Sequence, residues 1–308
     1  MFNERIPTKQ LTTWLCGAIL PVWIQLSAGE AWLTVAVTAV LSIAAVWAVW
    51  RWGRFESKVL LGLSILFQVL LLGTLMPYAA RVWPGGNQYP AVPLGILILS
   101  VWSAWKGPRA AAAVGCVLFW AVLVGNLVIL GAGISGMELQ WLRLAWSPPE
   151  PLVIIFGLVP SAAAIWKSNY ARWTVKFMLP AVVTVLVCVV TVGVLSPKLA
   201  GETGNGYLEL SRSVSVFGIA RHFEAVGSAI MTAGWFLIVT LMLSLCASQA
   251  ERIGIKKARH VILVCGIAAA LWMLCEMHIS QEFLLVFGPV CWVFAPLLPQ
   301  GIEPKKKS

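Results

Sequence analysis

The sequence predicts an all-α polytopic membrane protein with ten transmembrane helices. Apolar residues make up 60% of the 308-residue chain and charged residues only 11%, which is far from the composition of a soluble domain. The apolar residues fall into ten long stretches, and every second gap between them is rich in Lys and Arg. Because a bilayer offers no water to backbone N–H and C=O groups, stretches of this length must form helices.

The ten predicted spans follow one another along the whole chain, which we interpret as a single membrane domain. Five spans form a first half at about residues 11–130, and five form a second half at about 139–298, before a basic tail at 299–308. The spans are Leu11–Ser27, Ala31–Trp50, Val59–Pro77, Ala91–Trp105, Ala110–Leu130, Trp141–Trp166, Phe177–Leu195, Ala225–Ser248, Val261–Met277 and Phe283–Leu298.

Basic residues divide unevenly between the two sides of this arrangement. The side that carries both chain ends holds 17 of the 22 basic residues. The opposite side, called the outer side below, holds the other five: Arg81, Arg143, Lys198, Arg212 and Arg221. Since cytoplasmic loops are enriched in Lys and Arg, we predict that both termini lie in the cytoplasm. The net charge of +10 therefore reflects this cytoplasmic rim and its lipid headgroups, and we expect no nucleic-acid partner.

The first span has an alternative interpretation as a signal peptide. Arg5 and Lys9 precede the apolar run, and residues 27–29 form a weak cleavage-like site. Cleavage there would leave nine spans and place the new N-terminus outside. Pro21 and Gln25 interrupt the apolar run, which favours retention of the span.

Cysteine, histidine and acidic residues show no pattern of a metal or catalytic centre. All seven Cys lie within spans without a C-x-x-C pair, which is typical of small apolar packing residues. The three His lack metal-ligand spacing, and all 12 acidic residues are Glu. The glycine-rich segment 201–206 follows no strand and is predicted to be a flexible outer loop. We therefore expect no metal, no cofactor and no enzymatic activity.

Helix-breaking residues interrupt two of the predicted spans. Gly17 and Pro21 weaken the hydrogen-bond ladder of the first span, and prolines surround Glu150 in the sixth. Broken helices at matching positions in two halves are typical of a transporter site near the membrane midplane, because the freed backbone groups can bind a ligand. Alternatively, Pro148–Pro151 belongs to an outer loop before a shorter helix, Leu152–Trp166.

The predicted ligand site is lined by these two interruptions. Polar groups inside spans tend to face the bundle, which adds one residue each from the third and eighth spans. The predicted set is Cys16, Gly17, Ala18, Gln68, Trp146, Ser147, Pro149, Glu150 and Thr232. Glu150 is expected to bind a ligand's ammonium group or to cap the following half-helix. Ser228 and Thr232 are candidate oxygens for a coupling Na⁺, although such residues equally serve helix packing.

Several segments, in the same order along the chain, are similar to those of one known family. They are Arg5–Leu11, Ala28–Leu33, Tyr89–Pro93 with Lys106 and Gly107, Ser147–Glu150, Tyr207–Ser215, Phe223–Ala225 and the basic tail. Together they resemble the spore germination permease family, the B subunit of nutrient germinant receptors, within the amino acid–polyamine–organocation superfamily. The resemblance extends almost from end to end and rests on the order of the segments.

The resemblance implies a leucine-transporter-like fold of two inverted five-helix repeats, with helices 1 and 6 broken. It also implies sensing of a small nutrient, often an amino acid, in the inner membrane of a dormant spore, with the receptor's A and C subunits as partners. Three functions remain open: a nutrient sensor, a secondary transporter of amino acids or other small solutes, and a structural subunit with a vestigial site.

Overall fold

A computed structural model describes residues 6–27, 31–52, 57–83, 90–142, 162, 165–166, 173–202, 205–216, 220–221, 223–275, 283, 286–288, 290–294 and 296. Its helices are α1 (Thr8–Ser27), α2 (Trp32–Trp52), α3 (Lys58–Ala80), α4 (Ala91–Trp105), α5 (Pro108–Ile134), α6 (Trp173–Leu195), α7 (Pro197–Glu202), α8 (Gly206–Ser213), α9 (Glu224–Ile253) and α10 (Ala258–Leu274). A 3₁₀ turn at Leu139–Trp141, a π-helical segment at Val290–Phe294 and a hairpin of β1 (Ser215–Val216) and β2 (Ala220–Arg221) complete the described elements.

Eight of the ten predicted spans correspond to helices, namely α1–α6, α9 and α10. Five described helices are long and apolar enough to cross a membrane, at Trp32–Val49, Lys58–Ala80, Pro108–Ile134, Met178–Leu195 and Glu224–Ile253. The predicted sixth span and much of the tenth fall outside the described residues. The ten-span count, the two repeats and the side of each terminus therefore stay predictions.

Helix α1 occupies the centre of the described bundle. Every residue from Trp14 to Ser27 is buried, and the helix packs against α5, α6 and α9. Glycines on the neighbouring helices make this close packing possible. A Cβ on Gly115 of α5 would lie 2.4 Å from Cδ1 of Trp14. Helix α1 is therefore surrounded by protein on all sides along its outer two-thirds.

The predicted interruption of the first span is wrong, because α1 is continuous through Gly17 and Pro21. Pro21 lacks an N–H, so the carbonyl of Gly17 loses its helical donor. The proline ring fits against Gly234 of α9, where an added Cβ would lie 2.3 Å from the Cβ of Pro21. Packing against α9 thus holds the helical geometry where local propensity alone predicts a break.

Helix α9 is the second central element and contacts α1, α3, α4, α5 and α10. All residues from Leu237 to Ala250 are buried. The helix ends at Gly254, whose φ of 113° lies in the left-handed region and whose N–H reaches the carbonyl of Ala250. This glycine cap turns the chain toward α10.

A compact connection of α7, α8 and the hairpin joins α6 to α9 on the outer side. The Asn205 side chain caps α8 by accepting a 3.2 Å hydrogen bond from the N–H of Leu208. Helix α8 buries Tyr207, Leu208 and Leu210 against the bundle, and it packs on α1, α6 and α9. The connection therefore covers the outer ends of these three helices.

Candidate functional site

The first group of predicted site residues, Cys16, Gly17 and Ala18, lies buried in the middle of α1. The position of a Cβ on Gly17 is 3.2 Å from Cβ of Phe119 in α5 and 3.3 Å from Cδ1 of Leu237 in α9. The absence of a side chain at Gly17 therefore allows α1, α5 and α9 to pack closely in this conformation. A ligand could reach its backbone only if α1 moved away from Phe119.

The second group, Trp146, Ser147, Pro149 and Glu150, lies outside the described residues, so its part in the site stays a prediction. The inner end of the same predicted span is described. The Trp166 ring stacks on Trp14 with centroids 5.6 Å apart, and its indole N–H donates to Ser248 Oγ at 3.2 Å. Arg252 donates to the carbonyl of Ile165. These contacts attach the inner end of the span to α1 and α9.

Gln68 is fully buried and belongs to a polar cluster between α3 and α9. Its Nε2 donates to Ser64 Oγ at 3.1 Å and to Gln249 Oε1 at 3.2 Å, and its Oε1 accepts from Cys246 Sγ at 3.0 Å. Ser64 Oγ also accepts from Gln249 Nε2 at 2.9 Å and from Trp292 Nε1 at 3.1 Å. This cluster therefore links α3, α9 and the π-helical segment through side chains alone.

Thr232 lies at the opposite end of α9, beside the end of α3. Its Oγ1 donates to the carbonyl of Ser228 at 2.7 Å and accepts from Trp83 Nε1 at 3.1 Å. Ser228 Oγ donates to the carbonyl of Val82 at 2.7 Å. Both candidate sodium oxygens thus already have protein partners in this conformation.

The carbonyls at the outer end of α3 are satisfied by side chains from other elements. Gln25 of α1 donates to the carbonyl of Tyr78 at 2.8 Å, and Asn205 donates to that of Arg81 at 3.0 Å. Ser228 of α9 donates to that of Val82. Helix ends leave carbonyls such as those of Arg81 and Val82 without intrahelical donors, so these bonds complete the helix end. The carbonyl of Tyr78 also accepts a 3.1 Å hydrogen bond from the N–H of Arg81. We call Gln25, Asn205 and Ser228 with these three carbonyls the outer junction.

Sequence reasoning missed the outer junction, although Gln25 gives a signal as a polar residue within an apolar span. Asn205 gives none, because it lies in a glycine-rich loop far from α3 in sequence. The Arg81 guanidinium lies 4.9 Å from the centroid of the Tyr78 ring and adds a cation to this region. In the described part of the chain, no group of three or more His, Cys or acidic residues is arranged to hold a metal.

The structure does not bring all the predicted site residues together. Gln68 contacts Gln249, and 17 positions separate Gln249 from Thr232 on the same helix. At about 1.5 Å per residue this is roughly 25 Å along α9. One small ligand therefore cannot contact both Gln68 and Thr232. Gly17 contacts Leu237, which is nearer to Thr232 than to Gln249 along α9.

Comparison with known proteins identifies a solved structure with a similar fold but no family or curated protein with a matching sequence. No protein-family model matches the chain, and no curated protein matches it. A solved Na⁺-coupled sialic acid symporter, in a substrate-bound outward-open state, is similar in structure, with a TM-score of 0.65 over 95% of this chain and 78% of that one. The two proteins therefore share an overall fold. At 13% identity the similarity shows the fold alone.

The symporter fold and the apolar helices together show an integral membrane protein. The prediction of an all-helical membrane protein with a transporter-like fold is confirmed, whereas the ten spans and the two repeats stay predictions. The spore germination permease resemblance is a finer statement, and it enters only the proposal below.

Proposed function

We propose that the protein binds a small organic solute within the membrane bundle and acts as a secondary transporter. The observation that carries this proposal is the symporter fold shared over 95% of the chain. An amino acid or another small amine is the solute class that the residues favour. Ligand specificity still depends on side chains, since a fold alone does not determine function.

The preference for an amine comes from acceptors near the centre of α1. Pro21 leaves the carbonyl oxygen of Gly17 without a helical donor, and this oxygen lies in the buried part of the helix. Glu150 of the predicted sixth span supplies a carboxylate in our proposal. An ammonium group satisfies both acceptors, because it donates several hydrogen bonds and carries the opposite charge.

A conformational cycle follows from the position of α1. A solute can change the balance between two states only through different affinities for them. Gln25 ties the outer end of α1 to α3, and Phe119 lies against Gly17. A state that admits solute from outside therefore requires α1 to separate from Phe119 and the outer junction to rearrange.

Nutrient sensing as the B subunit of a germinant receptor is the second candidate. The collinear segments from Arg5–Leu11 to the basic tail favour it. In this case, the same solute-linked change of state acts on A and C subunits instead of carrying flux, in the inner membrane of a spore.

The test combines binding and uptake with the purified full chain. We expect one or more amino acids or amines to raise the unfolding temperature of the protein in lipid nanodiscs. Accumulation of that labelled solute in proteoliposomes under a sodium or proton gradient supports transport. Binding without accumulation, together with co-purification of A and C subunits from the native membrane, supports sensing. A panel in which no solute binds overturns both.

Glu150→Gln tests the role of the carboxylate. If Glu150 binds the ammonium group, loss of its charge should raise the half-saturating solute concentration about tenfold or more. If Glu150 only caps a helix, the concentration should stay unchanged, because Gln keeps an acceptor oxygen. Glu138→Gln is the matched control, since Glu138 is exposed.

A further inference from the structure

Two basic turns lie side by side at the end of the bundle that is predicted to be cytoplasmic. One joins α4 to α5 within residues 105–109, and the other joins α9 to α10 within residues 254–260. The rings of Trp105 and His260 have centroids 6.2 Å apart, so the two turns are neighbours. Neither segment contains an acidic residue. Together they carry five exposed basic residues, which we call the basic cluster: Lys106, Arg109, Lys256, Lys257 and Arg259.

Helices α4 and α10 pack against one another next to these turns. The position of a Cβ on Gly266 is 2.7 Å from Cγ2 of Val101, so the two backbones approach closely there. Between this contact and the Trp105–His260 contact, residue numbers rise along α4 and fall along α10. The two helices therefore run antiparallel and share a seam that ends at the basic cluster.

Each of these helices has an exposed apolar stripe beside the seam. The stripe of α4 contains Ile98 and Trp102, and that of α10 contains Val264, Ile267 and Leu271. Residues three or four positions apart share a helix face, so each stripe is continuous. In antiparallel helices that turn about 100° per residue, the seam contact places both stripes on the same side of the helix pair.

Trp102 connects the apolar stripes to the basic cluster. Its side chain is 64% exposed, and Lys106 Nζ lies 5.5 Å from the centroid of its ring. Attraction between the ammonium group and the ring keeps this positive charge at the end of the stripe. Since indoles favour the membrane–water interface, Trp102 marks the level at which hydrocarbon gives way to headgroups. The stripes then lie in the hydrocarbon and the cluster among the headgroups.

We propose that the seam between α4 and α10 is a binding site for an anionic phospholipid. Its acyl chains lie along the two stripes, and its phosphate lies against the basic cluster, because positive side chains attract anionic headgroups. A zwitterionic lipid fits less well, since its own cationic group would meet the same positive charges. The site goes beyond the proposed function, because no residue of the predicted solute site takes part in it.

The experiment measures the unfolding temperature of the full chain in a neutral detergent during lipid titration. The probes are dioctanoyl phosphatidylglycerol, dioctanoyl phosphatidylcholine and inorganic phosphate. We expect phosphatidylglycerol to raise the unfolding temperature, phosphatidylcholine to raise it less, and phosphate to have no effect. The first comparison tests the charge of the headgroup, and the second tests the need for acyl chains.

A triple variant tests the basic cluster by removing three of its charges: Lys106→Gln, Lys256→Gln and Lys257→Gln. It should raise the half-saturating phosphatidylglycerol concentration about tenfold or more. The matched control removes three charges from exposed residues elsewhere on the same predicted side: Lys9→Gln, Arg51→Gln and Lys58→Gln. Without lipid, both variants should unfold at the wild-type temperature, because all six side chains are exposed.

The control also separates a defined site from a general attraction between a basic surface and anionic lipids. A general attraction depends on total charge and predicts equal losses of affinity in the two variants. Equal losses would therefore overturn the proposal. So would an unchanged unfolding temperature with phosphatidylglycerol, or an equal increase with phosphatidylcholine or with phosphate alone.

Discussion

Gln25 Oε1 accepts a 2.6 Å hydrogen bond from the indole N–H of Trp235, which joins α1 to α9. The amide nitrogen of the same Gln25 donates to the carbonyl of Tyr78 at the end of α3. One side chain therefore connects three helices. Unpaired polar groups are costly inside a bilayer, so these two bonds explain how a glutamine is accommodated within an apolar span.

We expect Gln25→Leu to lower the free energy of unfolding by about 1–3 kcal/mol. The substitution leaves the buried Trp235 N–H without its acceptor. Thermal unfolding in nanodiscs measures the loss. Combining it with Trp235→Phe in a double-mutant cycle should recover part of the loss, because the orphaned donor is then removed. A Gln25→Leu protein as stable as the wild type would contradict this role.

Ser64→Ala should destabilise the protein more than Ser100→Ala. The first change removes the acceptor shared by Gln68 Nε2, Gln249 Nε2 and Trp292 Nε1, and we expect a loss of about 2 kcal/mol or more. Ser100 is equally buried but makes a single 3.2 Å bond to the carbonyl of Phe236, so about 1 kcal/mol is expected. Parallel unfolding curves compare the two, and equal losses would show that the shared acceptor has no special importance.

Gly234→Ala should lower stability by about 1–3 kcal/mol, because the added Cβ overlaps the Pro21 ring. Gly62→Ala provides the control within α3, where no atom beyond the chain neighbours and the backbone of the same helix lies within 4 Å of the new Cβ. That control should gain up to about 1 kcal/mol from helix propensity. If both variants gain stability, the contact between α9 and Pro21 is looser than described.

Alkaline pH should destabilise the fold through Tyr207. Its folded-state pKa is raised by burial above the ordinary value of about 10. Below pH 10 the phenol is neutral in both states, whereas above it only the unfolded chain ionises, so stability falls as pH rises. Tyr207→Phe should show a smaller decline between about pH 10 and 11.5 than the wild type in pH-dependent unfolding. Identical declines in stability for the two proteins would show that the Tyr207 phenol also ionises in the folded state, as expected if it contacts water.

The predicted topology is tested by placing a cysteine at the C-terminus. We expect Ser308→Cys to react with a membrane-impermeant thiol reagent only after the membrane is opened, because the basic tail is predicted to be cytoplasmic. The unsubstituted chain measures any background from its seven native cysteines. Labelling of Ser308→Cys in sealed cells would exclude an even number of spans with the N-terminus inside.

Helix positions were predictable because each span depends on its own composition. The sequence predicts Ala91–Trp105 for the fourth span, and α4 has those same bounds. The Lys106–Gly107 pair and Pro108 mark its end and the start of α5 through local chemistry. The predicted break in the first span was wrong, because local propensity takes no account of the fit of Pro21 against Gly234.

The candidate site was less predictable, because it depends on which polar residues meet. Gln68 does face the bundle, as its polarity within an apolar span indicated. Its partners Gln249 and Cys246 lie about 180 positions away and carry no sequence signal that pairs them with Gln68.

The outer junction has a consequence for synthesis of the chain. Gln25 precedes Tyr78 by 53 positions, so this bond can form while the first half emerges. The donors for Arg81 and Val82 follow them by 124 and 146 positions. Until Asn205 and Ser228 have been translated, the outer end of α3 depends on interfacial water for these carbonyls. The outer end of α3 therefore gains its full set of hydrogen bonds only after the chain has been made as far as Ser228.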